Sequence, residues 1–324
     1  MKKVLYMVFA LGALLMAGCK REEEVPSPDG NPGEVSPAGS LWTITIDAVA
    51  EDDIPTKGLA IGDNETEEAT TTLKSFWKDW QKVQVYRDDT YLGELDVTPD
   101  GSDAHYAKLS GIISVTGLTA GVSRLTLLAT ERDSWDYSGQ TGKLLLSDDE
   151  ENSIEKKYHY MMAENVLVTK IVEYPSNESI GILYTENATF RNQQSIYRMS
   201  FRYQFPSGNK TTIVPLQVTI RSAEGHLIQS QNVSGSSVSE GPITVLVEED
   251  IYNPYFFVAL RNGNTTEAED LLFEVVSRLG TVYLGRKTIP ANLKPNGMFV
   301  SMKNTTFTTR MGIGLSSEEV DTAL

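Results

Sequence analysis

The strongest constraint on this chain is a period of two. In "LWTITIDAV" (41–49), Trp42, Ile44, Ile46 and Ala48 alternate strictly with Thr43, Thr45 and Asp47. Successive side chains of an extended strand point to opposite faces, so this segment buries one face and wets the other. The same pattern returns in "SRLTLLATE" (123–131), "KLLLS" (143–147), "ENVLVTKIVEY" (164–174), "SIYRMSFRYQF" (195–205) and "TTIVPLQVTIRS" (211–222). It continues through "ITVLVEE" (243–249), "YFFVALRN" (255–262), "LLFEVVSR" (271–278), "TVYLGRKTI" (281–289) and "GMFVSMK" (297–303), with Gly, Asn, Asp and Pro between the segments. "KVQVYRDDTYLGEL" (82–95) reads as a hairpin around an Asp-Asp turn. No segment sustains a helical apolar repeat, and short helical pieces are expected only near 68–78 and 152–163. The class is mainly β, and many short strands suggest sandwiches. A break between two domains is expected near 163–166.

The first residues follow a different rule. Lys2 and Lys3 precede fourteen apolar residues, "VLYMVFALGALLMA" (4–17). That run is too short for a transmembrane helix, which needs ~20 residues. A basic start, a short apolar run and small residues at its end describe a secretory signal peptide, expected at 1–18. Ala17-Gly18 before Cys19, the single cysteine of the chain, resembles a bacterial lipoprotein signal, with Met16 where Leu is usual. That resemblance implies lipidation of Cys19 and a protein held to a membrane without spanning it. Two or more acyl chains make a stable anchor where one does not. Residues 19–40 then form a lipidated, flexible tether, charged at first and rich in Pro, Gly and Ser afterwards. Its start, "KREEE", resembles the Lys-then-acid signal that sends Bacteroidetes lipoproteins to the outer face of the outer membrane.

Composition removes several function classes. The net charge of −16, from 44 acids against 28 bases, argues against nucleic acid as a partner. One cysteine permits no disulfide within the chain. His105, His159 and His226 lie far apart, without a second ligand at metal spacing, and each is expected as a surface or strand residue; no metal site and no cofactor are expected. The carboxylate run Asp148-Asp149-Glu150-Glu151 reads as a solvated turn, and no G-x-S-x-G, H-E-x-x-H, P-loop or EF-hand spacing is present. An enzyme is not expected.

The order of motifs resembles a known family. "TKGLAI" (56–61), "FWKDWQKVQVY" (76–86), "YLGELDVTPDGSDAHYAKLSGII" (91–113), "SRLTLLATERDSWDYSGQTGKL" (123–144) and "KYHYMMAENVLV" (157–168) resemble Bacteroidales fimbrillin-like lipoproteins of the type V pilin superfamily. "NPYFFVALRNGN" (253–264) and "GTVYLGRKTIPANLKPNGMFVSMK" (280–303) are similar to that family's last strands, and "DYSGQTG" (136–142) is the most specific piece. Asp79-Trp80 departs from the family's usual Gly-Asp. The resemblance implies two tandem transthyretin-like β-sandwich domains, 41–164 and 165–303, followed by a tail at 304–324. It also implies a structural or adhesive subunit of a surface fimbria, lipid-anchored to the outer membrane, with other fimbrial subunits as partners. A host or bacterial surface ligand is a further candidate partner.

In polymerising subunits of that family a protease cuts after a basic residue beyond the first strand, and a neighbour's strand fills the vacated groove. Lys57, the only base in "AEDDIPTKGLAIGDNETEEATTT" (50–72), is the candidate maturation site here. Phe307, Met311, Ile313 and Leu315 of the tail share one parity and form a candidate donor strand, with pairing inside the chain as the alternative. A surface glycan-binding lipoprotein is the rival function. It would use Trp77, Trp80, Trp135, Tyr137 and the "YNPYFF" run as a stacking platform, although aromatics in strands more often pack a core.

Overall fold

The computed structural model describes residues 40–50, 70–72, 75–130, 136–142, 154–174, 177–247, 255–263, 269–289 and 297–311. In chain order the first strands are β1 (Ser40–Ala50), β2 (Thr70–Thr72), β3 (Lys82–Arg87), β4 (Thr90–Pro99), β5 (Tyr106–Val115), β6 (Arg124–Ala129) and β7 (Gln140–Gly142). A single turn of helix, α1 (Ile154–Tyr158), precedes β8 (Met161–Tyr174), β9 (Asn177–Thr185), β10 (Ala188–Asn192), β11 (Ser195–Gln204), β12 (Lys210–Ile213) and β13 (Pro215–Ser222). The remainder are β14 (Ile228–Gln231), β15 (Val238–Glu240), β16 (Ile243–Val247), β17 (Phe256–Leu260), β18 (Glu269–Ser277), β19 (Val282–Ile289), β20 (Met298–Phe307) and β21 (Thr309–Met311).

The mainly-β class stands. Its layout differs from two tandem sandwiches, because the first sheet closes on itself. The strands run β1-β5-β4-β3-β6-β8-β9, and β9 returns to β1 to complete a seven-stranded barrel. β10 lies end to end with β9 and fills the rest of that seam between β1 and β8. Closure removes the sheet edges that a sandwich would leave. The alternation found in the sequence sets the lining: Trp42, Ile44 and Ile46 point inward with Val83, Val85, Leu95, Leu109 and Ile113, all buried. Thr43, Thr45 and Asp47 face outward.

Two further sheets face each other across a second core. One has the order β12-β11-β20-β2, with β17 also on β11; the other runs β21-β19-β18-β13-β16-β7. Phe201 of β11 packs 5.8 Å from Phe273 of β18 and 5.2 Å from Phe307 of β20, measured between ring centroids. Two short segments from the barrel half of the chain finish these sheets, since β2 pairs with β20 and β7 with β16. β8 runs unbroken through 164–165, and β9 and β10 still belong to the barrel; the chain leaves it at β11. Leu128 and Met162, on β6 and β8, belong to the second core rather than the barrel lining. That is why "LLA" (127–129) is buried on both faces.

Local expectations failed where chain and sheet part company. The single strand expected at 211–222 is two strands in different sheets, because the chain crosses at Val214-Pro215. Proline lacks the N–H that an uninterrupted ladder would need. The helical piece expected near 68–78 is replaced by β2, drawn into strand geometry by the edge of β20; α1 falls within the other expected helical span. The strand expected at 143–147 lies outside the described residues.

Candidate functional site

β1 is the element on which a strand-exchange function would turn, and its setting can be built residue by residue. On one side it pairs antiparallel with β5, from Ser40↔Val115 to Val49↔Tyr106 without a break. On the other side it pairs parallel with β9 from Leu41↔Ile180 to Ile44↔Leu183, and with β10 from Ala48↔Ala188 to Ala50↔Phe190. Thr45, Ile46 and Asp47 have no parallel register partner there. The seam side is therefore the weaker of the two.

The inward face of β1 holds the strand in place. Trp42 and Ile44 are fully buried, and Ile46, Ala48 and Ala50 nearly so. Trp42 Nε1 donates to the Val115 carbonyl at 3.3 Å, which satisfies the indole inside the barrel. Each large apolar side chain contributes about 1.5–3 kcal/mol on burial. Trp42, Ile44 and Ile46 together supply roughly 5–9 kcal/mol, an amount comparable with the whole stability of a typical domain. A barrel deprived of β1 needs another strand in its place.

The last described strands are held differently. Phe307, at the end of β20, is 1% exposed and lies against Gly285 of β19, where a Cβ would sit 2.2 Å from the ring. After Thr308 the chain changes sheets, and β21 pairs with β19 over three residues, Leu284↔Thr309 to Val282↔Met311. Met311 is half-buried against Val282, while Thr308, Thr309 and Arg310 are exposed. Arg310 reaches back over the Tyr203 ring, 5.2 Å from its centroid. Of the candidate donor residues, Phe307 and Met311 are thus engaged within this chain, whereas Ile313 and Leu315 lie outside the described residues. Cys19, Lys57, the signal segment and the Asp148–Glu151 run also lie outside them.

"DYSGQTG" has a structural explanation. Asp136 accepts from the Ser138 amide at 2.7 Å in an Asx turn, and Gly139 takes a positive φ of 61°. The Gln140 side chain, fully buried, donates to the Tyr137 and Ala259 carbonyls and accepts from the Ala259 amide at 2.9 Å. Tyr137, also fully buried, donates from its hydroxyl to Gln194 at 3.1 Å, and Gln194 accepts from the Tyr160 amide at 3.0 Å. The motif fastens the segment between β6 and β8 to β17 and, through Gln194, to Tyr160 just before β8.

A second fastening lies at the β3–β4 hairpin tip. Asp89 accepts from the Ser234 hydroxyl (2.8 Å) and amide (3.2 Å), from Asn232 (2.9 Å) and from Ser236 (3.2 Å) in the β14–β15 loop. These bonds, the Ser234 hydroxyl foremost, hold its carboxyl below the usual range.

One cluster has the residue types of a catalytic group without its wiring. Ser75 Oγ donates to Asn192 Oδ1 at 2.7 Å, and His159 Nε2 lies 3.0 Å from Ser75 Oγ and 2.8 Å from the same Oδ1. The third member is an amide, whose oxygen accepts from the serine hydroxyl, where a catalytic group would have a carboxylate orienting the imidazole. Ser75 is 1% exposed. Among the described residues no group of three or more His, Cys, Asp and Glu could hold a metal ion. His105 and His159 are buried loop residues, contrary to the expectation of surface or strand positions; Phe76 lies 4.6 Å from the His105 ring.

Among the described residues, the aromatics of the candidate platform do not gather on an exposed surface. Trp77 is buried edge-on against Phe190, Phe256 and Phe257 are buried, and Tyr255 lies over Arg198 at 3.8 Å. Trp80 is half-buried between Lys78 and Lys156, and Trp135 lies outside the described residues.

No protein-family model matches the chain, and no curated protein does. Among solved structures, one from Bacteroides fragilis NCTC 9343, ascribed to cell adhesion, overlaps 85% of this chain and 99% of its own at 12% identity and a TM-score of 0.33. Another ascribed to cell adhesion, from Bacteroides ovatus ATCC 8483, overlaps 86% of this chain and 100% of its own at 10% identity and 0.33. The SpaE basal pilin of Lactobacillus rhamnosus GG overlaps 87% and 97% at 11% identity and 0.24. Overlaps this loose carry no assignment of function.

Proposed function

We propose that this protein is a structural or adhesive subunit of a cell-surface fimbria, exported as a lipoprotein through Cys19 and assembled by strand exchange after removal of β1 at Lys57. The observation that carries this reading is the setting of β1. It is a first strand with a wholly buried apolar face, zipped to β5 on one side and to a divided seam on the other, and it leads directly into the segment that contains Lys57. Loss of such a strand leaves a slot that a neighbour's alternating strand fits through main-chain hydrogen bonds and side-chain pockets. The resemblance in motif order supports the same assignment, as does the lipoprotein-like start. The partners are then other fimbrial subunits and, through the lipid, the outer membrane, with the protein facing outward. Within this reading, Phe307 roots the tail in its own subunit, and Met311, Ile313 and Leu315 belong to the donated part.

The N-terminus of the mature surface protein tests the proposal. A terminus at Gly58, together with laddered oligomers on a gel, is the expected result. A lipidated terminus at Cys19 with no ladder would make the protein an uncut anchor and remove strand loss from the account. The glycan-binding alternative loses support from the burial of Trp77, Tyr137, Phe256 and Phe257.

A further inference from the structure

The β1 slot contains one socket of unusual shape. The Trp42 ring covers Gly181 of β9, and a Cβ on Gly181 would sit 2.2 Å from Trp42 Cζ3 and 2.7 Å from Cε3. The same Cβ would meet the Val172 carbonyl of β8 at 2.6 Å, so the space above residue 181 exists only because it is glycine. From this socket the slot narrows along the strand direction. Two branched side chains, Ile44 and Ile46, are followed by two small ones, Ala48 and Ala50.

We propose that Gly181 is the specificity-determining residue of the slot, fixing the register of the strand that replaces β1, and that Met311 of a second copy of this chain is the side chain seated over it. The inference rests on the strand-exchange reading above. The tail of this sequence carries the same taper in the same direction: Met311, Ile313, Leu315 and Ser317 alternate with Gly312, Gly314 and Ser316. Placed on Trp42, Ile44, Ile46 and Ala48, these four put a large side chain first, two branched ones next and a small one last. Methionine is unbranched and adapts to an irregular cavity. A shift of two residues one way puts Thr309 in the socket and leaves it underfilled. A shift the other way puts Ser317 in the Ile46 site and Glu319 in the Ala48 site, which is buried. Phe307 is committed elsewhere, stacked on Phe201 and set against Gly285. Met311 is held by the three-residue β21 and one half-buried contact with Val282, far less than holds Phe307.

The test uses the full-length chain with a specific protease site inserted between residues 51 and 69, folded and then nicked. Fluorescent peptides of residues 309–320 and of residues 40–50 are offered to it. Anisotropy gives the affinity, and mass spectrometry follows release of the β1 fragment. The expected result is displacement of β1 by the 309–320 peptide, with Met311→Ala binding about 30-fold or more weaker and Met311→Trp binding at least as well as the natural sequence. A photoreactive methionine analogue at 311 should crosslink to β9 next to Gly181. Binding of Met311→Ala within twofold of the natural peptide would overturn the register. Entry of the 40–50 peptide but not of 309–320 would overturn the second-copy assignment and leave strand exchange standing. If neither peptide enters, strand exchange itself fails and this inference falls with it.

Discussion

β1 and β21 are both terminal strands of the described chain and both carry one apolar face, yet they are held in opposite ways. β1 is long, lies inside a closed wall and buries its apolar face almost completely. β21 is three residues on the edge of an open sheet and ends on a half-buried methionine. The difference shows that alternation alone does not decide what a strand contributes. A closed neighbourhood turns a period of two into a large share of the stability, and an open edge leaves the same pattern available to another chain.

Four measurements would break or sharpen that contrast. The largest effect is expected from deleting residues 40–50. Circular dichroism and denaturant unfolding should report loss of the cooperative barrel, since roughly 5–9 kcal/mol of burial goes with it; a deletion variant that unfolds like the intact chain would place the stability elsewhere. Next comes Phe307→Ala, expected to cost about 3–5 kcal/mol in urea unfolding. Met311→Ala should cost only about 1 kcal/mol or less, because its side chain is half-exposed. Equal costs at 307 and 311 would erase the boundary drawn between rooted strand and free tail. Third, ending the chain after Phe307 should leave a folded protein whose melting temperature moves by a few degrees, about 1 kcal/mol or less at this size. A cut placed before Phe307 should unfold the facing sheets.

The smallest effect concerns Asp89. Its folded-state carboxyl titrates below its unfolded value, so its stabilising contribution is present above the ordinary carboxylate range and is lost as pH falls through the lowered folded value. Asp89→Asn should therefore be slightly less stable than the natural chain at neutral pH. The two should converge once the pH has fallen below that lowered folded value. A gap that persists unchanged at that acidity would assign the loss to geometry rather than charge.

Much of this contrast could be read in the sequence, and the unread parts have a common cause. β1 was legible because its own residues alternate and its burial follows the same parity. The hairpin of β3 and β4 was legible because its turn is local. β5 was harder, since Gly111 interrupts its apolar face and Ile112 stands exposed on the other, and both β9 and β10 are defined by parallel pairing to a strand well over a hundred residues earlier. No local pattern encodes that. The exchange of strands between halves, β2 onto β20 and β7 onto β16, has the same origin. "DYSGQTG" stood out as a motif, but its reason is a Gln140 amide bonded to a backbone 119 residues away. The Gly181 socket is invisible in sequence, because a glycine within "SIGILY" reads as a weak strand position until the indole above it is seen.

The seam of the barrel has one more consequence. β1 runs parallel to β9 and β10 and antiparallel to β5, so a strand that takes its place keeps both ladders only by running in the same direction. Each junction between copies would then repeat with a fixed sense, tail into slot, and no two-fold axis could relate the partners. An array built in this way would have unlike ends, one offering an empty slot and the other an unused tail.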